Sequence, residues 1–208
     1  DNYLILDFRD LYLGNPLFQK LRLVDWLLYK FALCTANEIW VTTTPAKKLL
    51  DGSTQKMVKV VPNGVSESVI TKIRLANQMS AGENKRLKIG YFGNLGGQRQ
   101  FVKFFKSCIK SDKVSVVGAG NFDITHANIF GARYLGFLNK DELYFNINTC
   151  DVIIVCITQE EHSDYAIPAK IYEALCFGRP ILLNAPANSA AQQLLDSLDY
   201  PFLIVSRD

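Results

Sequence analysis

A lysine and a glutamate, Lys170 and Glu173, follow a proline in the stretch Y-A-I-P-A-K-I-Y-E-A-L-C-F-G-R-P, residues 165–180. A cation and a carboxylate at this spacing could hold a ligand carrying both an anion and a diol, provided a helix presents them. The flanking residues point to one. Pro168 suits a first helical position, where the missing N–H costs nothing and φ is already set. Ile171, Ala174, Leu175 and Gly178 recur at helical spacing and would pack on a sheet, and Gly178 suits the stop. Apolar runs on either side, Asp151–Ile157 and Ile181–Leu183, read as buried strands. A strand–loop–helix unit turns free N–H groups and a positive dipole end toward whatever lies beyond the strand. Lys170 in the first turn opposes that dipole unless an anion sits there too. Glu173 would repel a phosphate, but it could accept two hydroxyl hydrogen bonds from a neighbouring diol such as a ribose. The same two residues would equally serve as a solvated ion pair worth about 0.2–0.5 kcal/mol.

The composition narrows the function classes. With 208 residues, nearly half of them apolar, the chain can hold one large domain or parts of two. A net charge of +3 does not argue for nucleic acid and allows weak attraction to an anionic membrane surface. The five cysteines form no C-x-x-C pair and lie mostly in apolar runs, as expected of buried thiols in a reducing compartment. With two histidines, a zinc site is not expected. No signal-peptide pattern and no uninterrupted apolar run of membrane-spanning length occurs. The expected location is cytoplasmic, with peripheral contact at the inner face of a membrane left open. The chain opens and closes on strand-like runs, Tyr3–Leu6 and Phe202–Val205, which suggests a partial chain.

In chain order, Tyr3–Leu6 is followed by D-F-R-D-L, placing Arg9 and Asp10 at a strand's carboxyl end, where open α/β sheets keep their ligands. Residues 17–36 read as a helix packing through Leu17, Leu21, Val24, Leu28 and Phe31; a membrane-surface helix is the other reading. Glu38–Thr43 is a strand, Thr44 a helix N-cap, and Met57–Val61 a strand ending in the turn P-N-G. Residues 66–86 read as a polar linker. Leu87–Phe92 leads into G-N-L-G-G-Q-R-Q, which has the glycines of a phosphate-cradling loop but no Walker lysine. A helix to Lys110 then packs Phe101, Phe104, Phe105 and Ile109 inward. Val114–Val117 precedes G-A-G, which lacks the third glycine of a dinucleotide fold. Tyr134–Leu138 reads as a short strand, Asn139 caps a helix to Asn148, and Asn188–Leu198 is the last helix. In the loop 159–164, His162 and Asp164 could face a ligand or be ordinary surface groups. Strands alternating with helices predict a parallel sheet with right-handed crossovers.

P-A-K-I-Y-E-A-L-C-F-G-R-P-I resembles the nucleotide-sugar motif of retaining GT-B glycosyltransferases of the group 1, family 4 type. V-V-P-N-G-V at residues 60–65 resembles the run closing that family's N-terminal domain. The resemblance implies an α/β fold of two Rossmann-like, doubly wound parallel-sheet domains, the N-terminal one incomplete. The back half of that domain would span 1–67, a linker 68–86, and the nucleotide-sugar domain 87–208. It implies transfer of a sugar from a nucleotide-diphosphate sugar to a hydroxyl acceptor, in polysaccharide or glycoconjugate assembly, with a saccharide or lipid-linked acceptor and no metal or other cofactor. By resemblance Glu173 holds the ribose, and Ile167, Pro168, Ala169 and Lys170 hold the diphosphate. Gly93, Asn94 and Arg99 lie on the first strand's loop, with Asn94 where relatives often carry an arginine. Phe137 and Leu138 take the place of the backbone that contacts the base. Tyr165 stands where relatives often carry a second, sugar-binding glutamate. Arg9 and Asp10 are the catalytic candidates. A GT-B-like sugar-nucleotide epimerase, or a non-catalytic scaffold, is the alternative.

Overall fold

A computed structural model describes residues 3–9, 11, 22–78, 86–94, 99–122, 128, 133–157 and 164–204, with the side chains of 22 and 99–104 left aside. The chain divides into two compact units. The first gathers Asp1–Gly64, Ile157–Ala169 and Ala185–Leu198; the second gathers Val65–Cys156, Lys170–Asn184 and Asp199–Asp208.

The first unit has a parallel sheet in the order β1 (Ile5–Phe8), β2 (Glu38–Val41), β3 (Met57–Val60). Ile5 pairs with Glu38, and Glu38 with Met57. Helix α1 (Arg22–Thr35) contributes Tyr29 and Leu33 to the core beside Ile39 and Val41. Val24, Leu28 and Phe31, expected to face inward, are exposed. The buried stripe runs instead through Tyr29, Leu33 and Ala36, because the helix carries apolar residues on more than one face. Helix α2 (Thr44–Asp51) is capped not by Thr44 but by Thr43, whose hydroxyl accepts from Ala46 N at 3.2 Å. The Thr43 hydroxyl also donates to the Tyr165 carbonyl at 2.7 Å, tying residues 157–169 into this unit.

The second unit opens with α3 (Glu67–Gln78), where a linker was expected. Ile73 and Ala76 are buried, and Asn148 Nδ2 donates to the Ala76 carbonyl at 2.6 Å. Apolar residues at helical spacing anchor this segment even though its composition is mostly polar. The elements then follow as β4 (Leu87–Phe92), α4 (Arg99–Lys110), β5 (Val114–Ala119), α5 (Lys140–Asn148), β6 (Val152–Cys156), α6 (Ala169–Phe177), β7 (Ile181–Asn184), α7 (Ala190–Ser197) and β8 (Phe202–Ile204), with α7 belonging to the first unit. The expected strand at 134–138 is only a bridge between Gly118 and Tyr134. Helix α6 starts at Ala169, so Pro168 lies just ahead of it, and Phe177 rather than Gly178 completes the buried face of Ile171 and Ala174. Gly178 does end the helix, with φ of 66°.

The five parallel strands lie in the order β5-β4-β6-β7-β8. From β4 the chain moves to one side, to β5, and then returns to the other side, to β6. The crossovers on either side of β4 therefore diverge and leave a crevice beyond its carboxyl end. Open α/β sheets bind ligands at such a switch point. Among the described residues no helix is long and apolar enough to cross a membrane.

Candidate functional site

A cleft of about 270 Å³ occupies the switch point of the second sheet. It is lined by Phe92, Gly93 and Asn94 at the end of β4 and by Ala119, Gly120 and Asn121 at the end of β5. Gly93 has φ of 150° and Gly120 of 132°, backbone that favours glycine. A Cβ on Gly120 would run into the Gly93 carbonyl. Hydrogen bonds fix this approach: Gly93 N donates to the Ala119 carbonyl at 2.8 Å, and Gly120 N to the Gly136 carbonyl at 2.9 Å. The two strand ends can meet this closely because Gly120 carries no side chain.

Two charged groups of α6 enter this cleft, Lys170 from its first turn and Glu173 from the next. Lys170 as a residue is exposed, but its ammonium end rests over Gly93 and lies 6.0 Å from the centre of the Tyr91 ring. Burial of that end pushes its pKa below the usual lysine value, against the weaker opposing pull of nearby Glu173. Glu173 is half-buried. Burial pushes its pKa up, and Lys140 and Lys170 pull it down more weakly. Neither group makes an ion pair or hydrogen bond among the described residues. This is not a solvated ion pair. It is a cation and a carboxylate partly stripped of water without gaining a partner, which costs stability unless a ligand supplies one.

The neighbouring polar groups are already engaged. Tyr91 donates its hydroxyl to the Asn94 carbonyl at 2.5 Å, and burial holds its pKa far above the usual value. Burial likewise pushes the Cys156 thiol well up, so it stays neutral. The rest of the wall is apolar: Leu143 and Ile147 from α5, Ile153 and Val155 from β6, and Phe177 from α6. The start of α6 also differs from other helix starts. Asn139 and Ser189 cap α5 and α7 with side-chain oxygens, whereas Pro168 has no oxygen on its side chain to offer. The first-turn amides of α6 gain no cap from that position.

The structure brings Gly93, Asn94, Phe137, Leu138, Lys170 and Glu173 together in one cleft. Tyr165, Ile167, Pro168 and Ala169 belong to the first unit, where Tyr165 is 7% exposed and part of the core. Arg9, also in the first unit, pairs with Asp7 at 2.7 Å and donates to Asn63 Oδ1 at 2.9 Å. Asp10 and His162 lie outside the described residues, as does the side chain of Arg99. Asp164 is exposed, and its carbonyl accepts from Ala190 N at 2.6 Å. Sequence reasoning missed Lys140, Gly120 and Asn121 as lining residues. The G-A-G run signalled the glycine. Nothing in the sequence distinguished Lys140 from any other lysine early in a helix.

No family model matches the chain, and no curated protein matches it. Solved structures do. The Anabaena protein HepE in complex with UDP is 16% identical, with a TM-score of 0.66 over 99% of this chain and 58% of that one. The same protein with UDP and glucose gives 0.63 at 16% identity, again over 99% of this chain and 58% of that one. A sucrose-phosphate synthase from Thermosynechococcus elongatus gives 0.60 at 13% identity, over 97% of this chain and 54% of that one. At these identities the likeness is one of fold. The architecture is of the GT-B type, α/β with parallel, Rossmann-like sheets in two units. The chain spans little more than half the length of the solved structures it matches.

Proposed function

We propose that the cleft is the donor site of a retaining GT-B glycosyltransferase, which takes a nucleotide-diphosphate sugar and passes the sugar to a hydroxyl acceptor. The observation that carries this reading is the unpaired, partly desolvated couple of Lys170 and Glu173 at the sheet's switch point. Each lacks what such a ligand offers. Glu173 accepts from the ribose hydroxyls, and Lys170 donates to the diphosphate. The uncapped first-turn amides of α6 add N–H donors for the same anion. In the reaction the bond from the sugar's anomeric carbon to the diphosphate oxygen breaks, the acceptor oxygen bonds to that carbon, and the acceptor loses its proton. Charge gathers on the leaving diphosphate, and preorganised donors stabilise it there. On this reading no metal is required, because lysine and backbone amides supply the positive potential.

The fold neighbours crystallised with UDP support a nucleotide ligand. Arg9 and Asp10 remain the catalytic candidates, and the acceptor is a saccharide or a lipid-linked one. Polysaccharide or glycoconjugate assembly at the cytoplasmic face of a membrane is the setting this chemistry suits. Titration with UDP, GDP and ADP tests the reading. At least one should bind, and Glu173→Ala should weaken it by about tenfold or more, as expected when hydrogen bonds to a charged group are lost. If no nucleotide binds, the reading fails. A scaffold without turnover is the second reading, favoured by Tyr165 packing into the first unit's core where relatives often carry a glutamate.

A further inference from the structure

Helix α1 buries one side and leaves the other bare. Leu23, Val24, Leu27, Leu28 and Phe31 are each between 52% and 71% exposed. At helical spacing they share one face, opposite the buried Tyr29, Leu33 and Ala36. No charged residue of α1 falls on that face. Lys30 and the exposed Trp26 border it, with the lysine ammonium 5.9 Å from the centre of the indole. Strands β1, β2 and β3 follow one another across their sheet, so right-handed crossovers put α2 on the same side as α1. There Lys48 and Leu49 are exposed next to each other. The acids of these two helices are already engaged: Asp51 takes the Lys47 ammonium at 2.9 Å, and Asp25 has a partner of its own. Lys30 and Lys48 make no ion pair among the described residues.

A helix face that is apolar and uncharged along its length is not what water-facing helices carry. Leaving it in water costs free energy that a partner would remove. The rim says which partner, because it is cationic and the acids beside it are taken. A second copy offers the same lysines and no spare carboxylate on these helices, so a self-complementary contact leaves the rim unanswered. A bilayer of anionic lipid supplies both missing parts, a hydrocarbon boundary for the face and negative headgroups for the lysines. We propose that the outer face of α1, with Lys30 and Lys48 at its rim, docks this chain on an anionic lipid bilayer. Leu27 and Phe31, at the centre of the face, enter the acyl boundary. Trp26 lies at headgroup level, as amphipathic aromatics do, and the lysine stems let their ammonium groups reach the headgroups. The inference goes beyond the donor-site reading and does not depend on it, since no residue of the cleft lies on α1 or α2.

Co-sedimentation of the full chain with lipid vesicles tests it. Vesicles of phosphatidylcholine mixed with phosphatidylglycerol should bind the chain about tenfold or more tightly than phosphatidylcholine alone, and high salt should weaken that binding. Leu27→Glu and Phe31→Glu together should weaken binding to the mixed vesicles by about tenfold or more. Both side chains are exposed, so this variant should keep the melting temperature of the unaltered chain. Lys30→Gln and Lys48→Gln together should remove most of the preference for anionic lipid. Failure of the unaltered chain to bind the mixed vesicles would overturn the inference. So would binding that the two glutamates leave intact. A chain that binds no vesicle but sediments as a dimer, and as a monomer once the glutamates are in place, would overturn it in favour of a second copy. Nucleotide titration of the glutamate variant reads the donor site separately, so either reading can fail without the other.

Discussion

The ammonium of Lys170 lies where a side chain on Gly93 would begin. One residue's lack of a side chain thus creates the seat of another's charge, in the cleft at the carboxyl end of β4. Gly93→Ala should evict the ammonium and strain a backbone with φ of 150°. Nucleotide affinity should fall to about the level of Lys170→Met, and the melting temperature should fall in Gly93→Ala alone. If Gly93→Ala binds nucleotide normally, Lys170 does not act from this seat.

Glu173→Gln should raise the melting temperature of the free protein near neutral pH while weakening nucleotide binding by about tenfold or more. The carboxylate is desolvated without a partner, and removing its charge removes that cost. Differential scanning calorimetry with and without nucleotide would show the two effects with opposite sign. A fall in both would mean that Glu173 is stabilised by contacts within the fold.

The pH dependence should also divide. The folded-state pKa of Glu173 lies above its ordinary value of 4.5, so between these two values the folded state binds more protons than the unfolded one. The contribution of Glu173 to stability is therefore fully present below pH 4.5 and is lost as pH rises through the raised pKa. Nucleotide affinity, which needs the ionised carboxylate, should rise over the same window. Melting and binding curves collected across pH 4–7, with Glu173→Gln as the flat reference, check this.

Tyr144 is 2% exposed, and its hydroxyl has no hydrogen-bond partner among the described residues. Its ring packs 5.8 Å from that of Phe177, and that contact does not need the hydroxyl. Tyr144→Phe should therefore leave stability unchanged or raise it by about 1 kcal/mol, since it removes an unpaired buried group and keeps the shape. A loss of more than about 1 kcal/mol in a urea titration would contradict the assignment.

In the middle of β4, a methyl on Gly90 would press on the Phe92 ring and lie 2.6 Å from Cys150 Sγ. Both neighbours are buried, and burial pushes the Cys150 thiol up to about 11, as befits an apolar surround. Gly90→Ala should cost about 1–3 kcal/mol by overpacking, visible as a lowered urea midpoint. Gly90→Ala combined with Cys150→Ala should recover part of the loss.

Where local chemistry was decisive, the sequence was legible. Proline, glycine and a helical apolar period placed α6 to within a residue, and the charges of Lys170 and Glu173 then had one direction in which to act. Helix α3 was not legible, because its anchors Ile73 and Ala76 are few and its flanks polar. The buried stripe of α1 was misread because the helix is apolar on more than one face: Val24, Leu28 and Phe31 are exposed while Tyr29 and Leu33 are buried. Lys140 could not be found at all.

The chain enters and leaves each unit more than once: 157–169 and 185–198 belong with the first, and the stretch between them with the second. A single scission would not yield two self-sufficient pieces. Residues 87–208 expressed alone would carry α7 and the buried Tyr165 without the partners that shelter them, and would be prone to clump. Dissecting this protein therefore calls for substitutions in the whole chain rather than truncations.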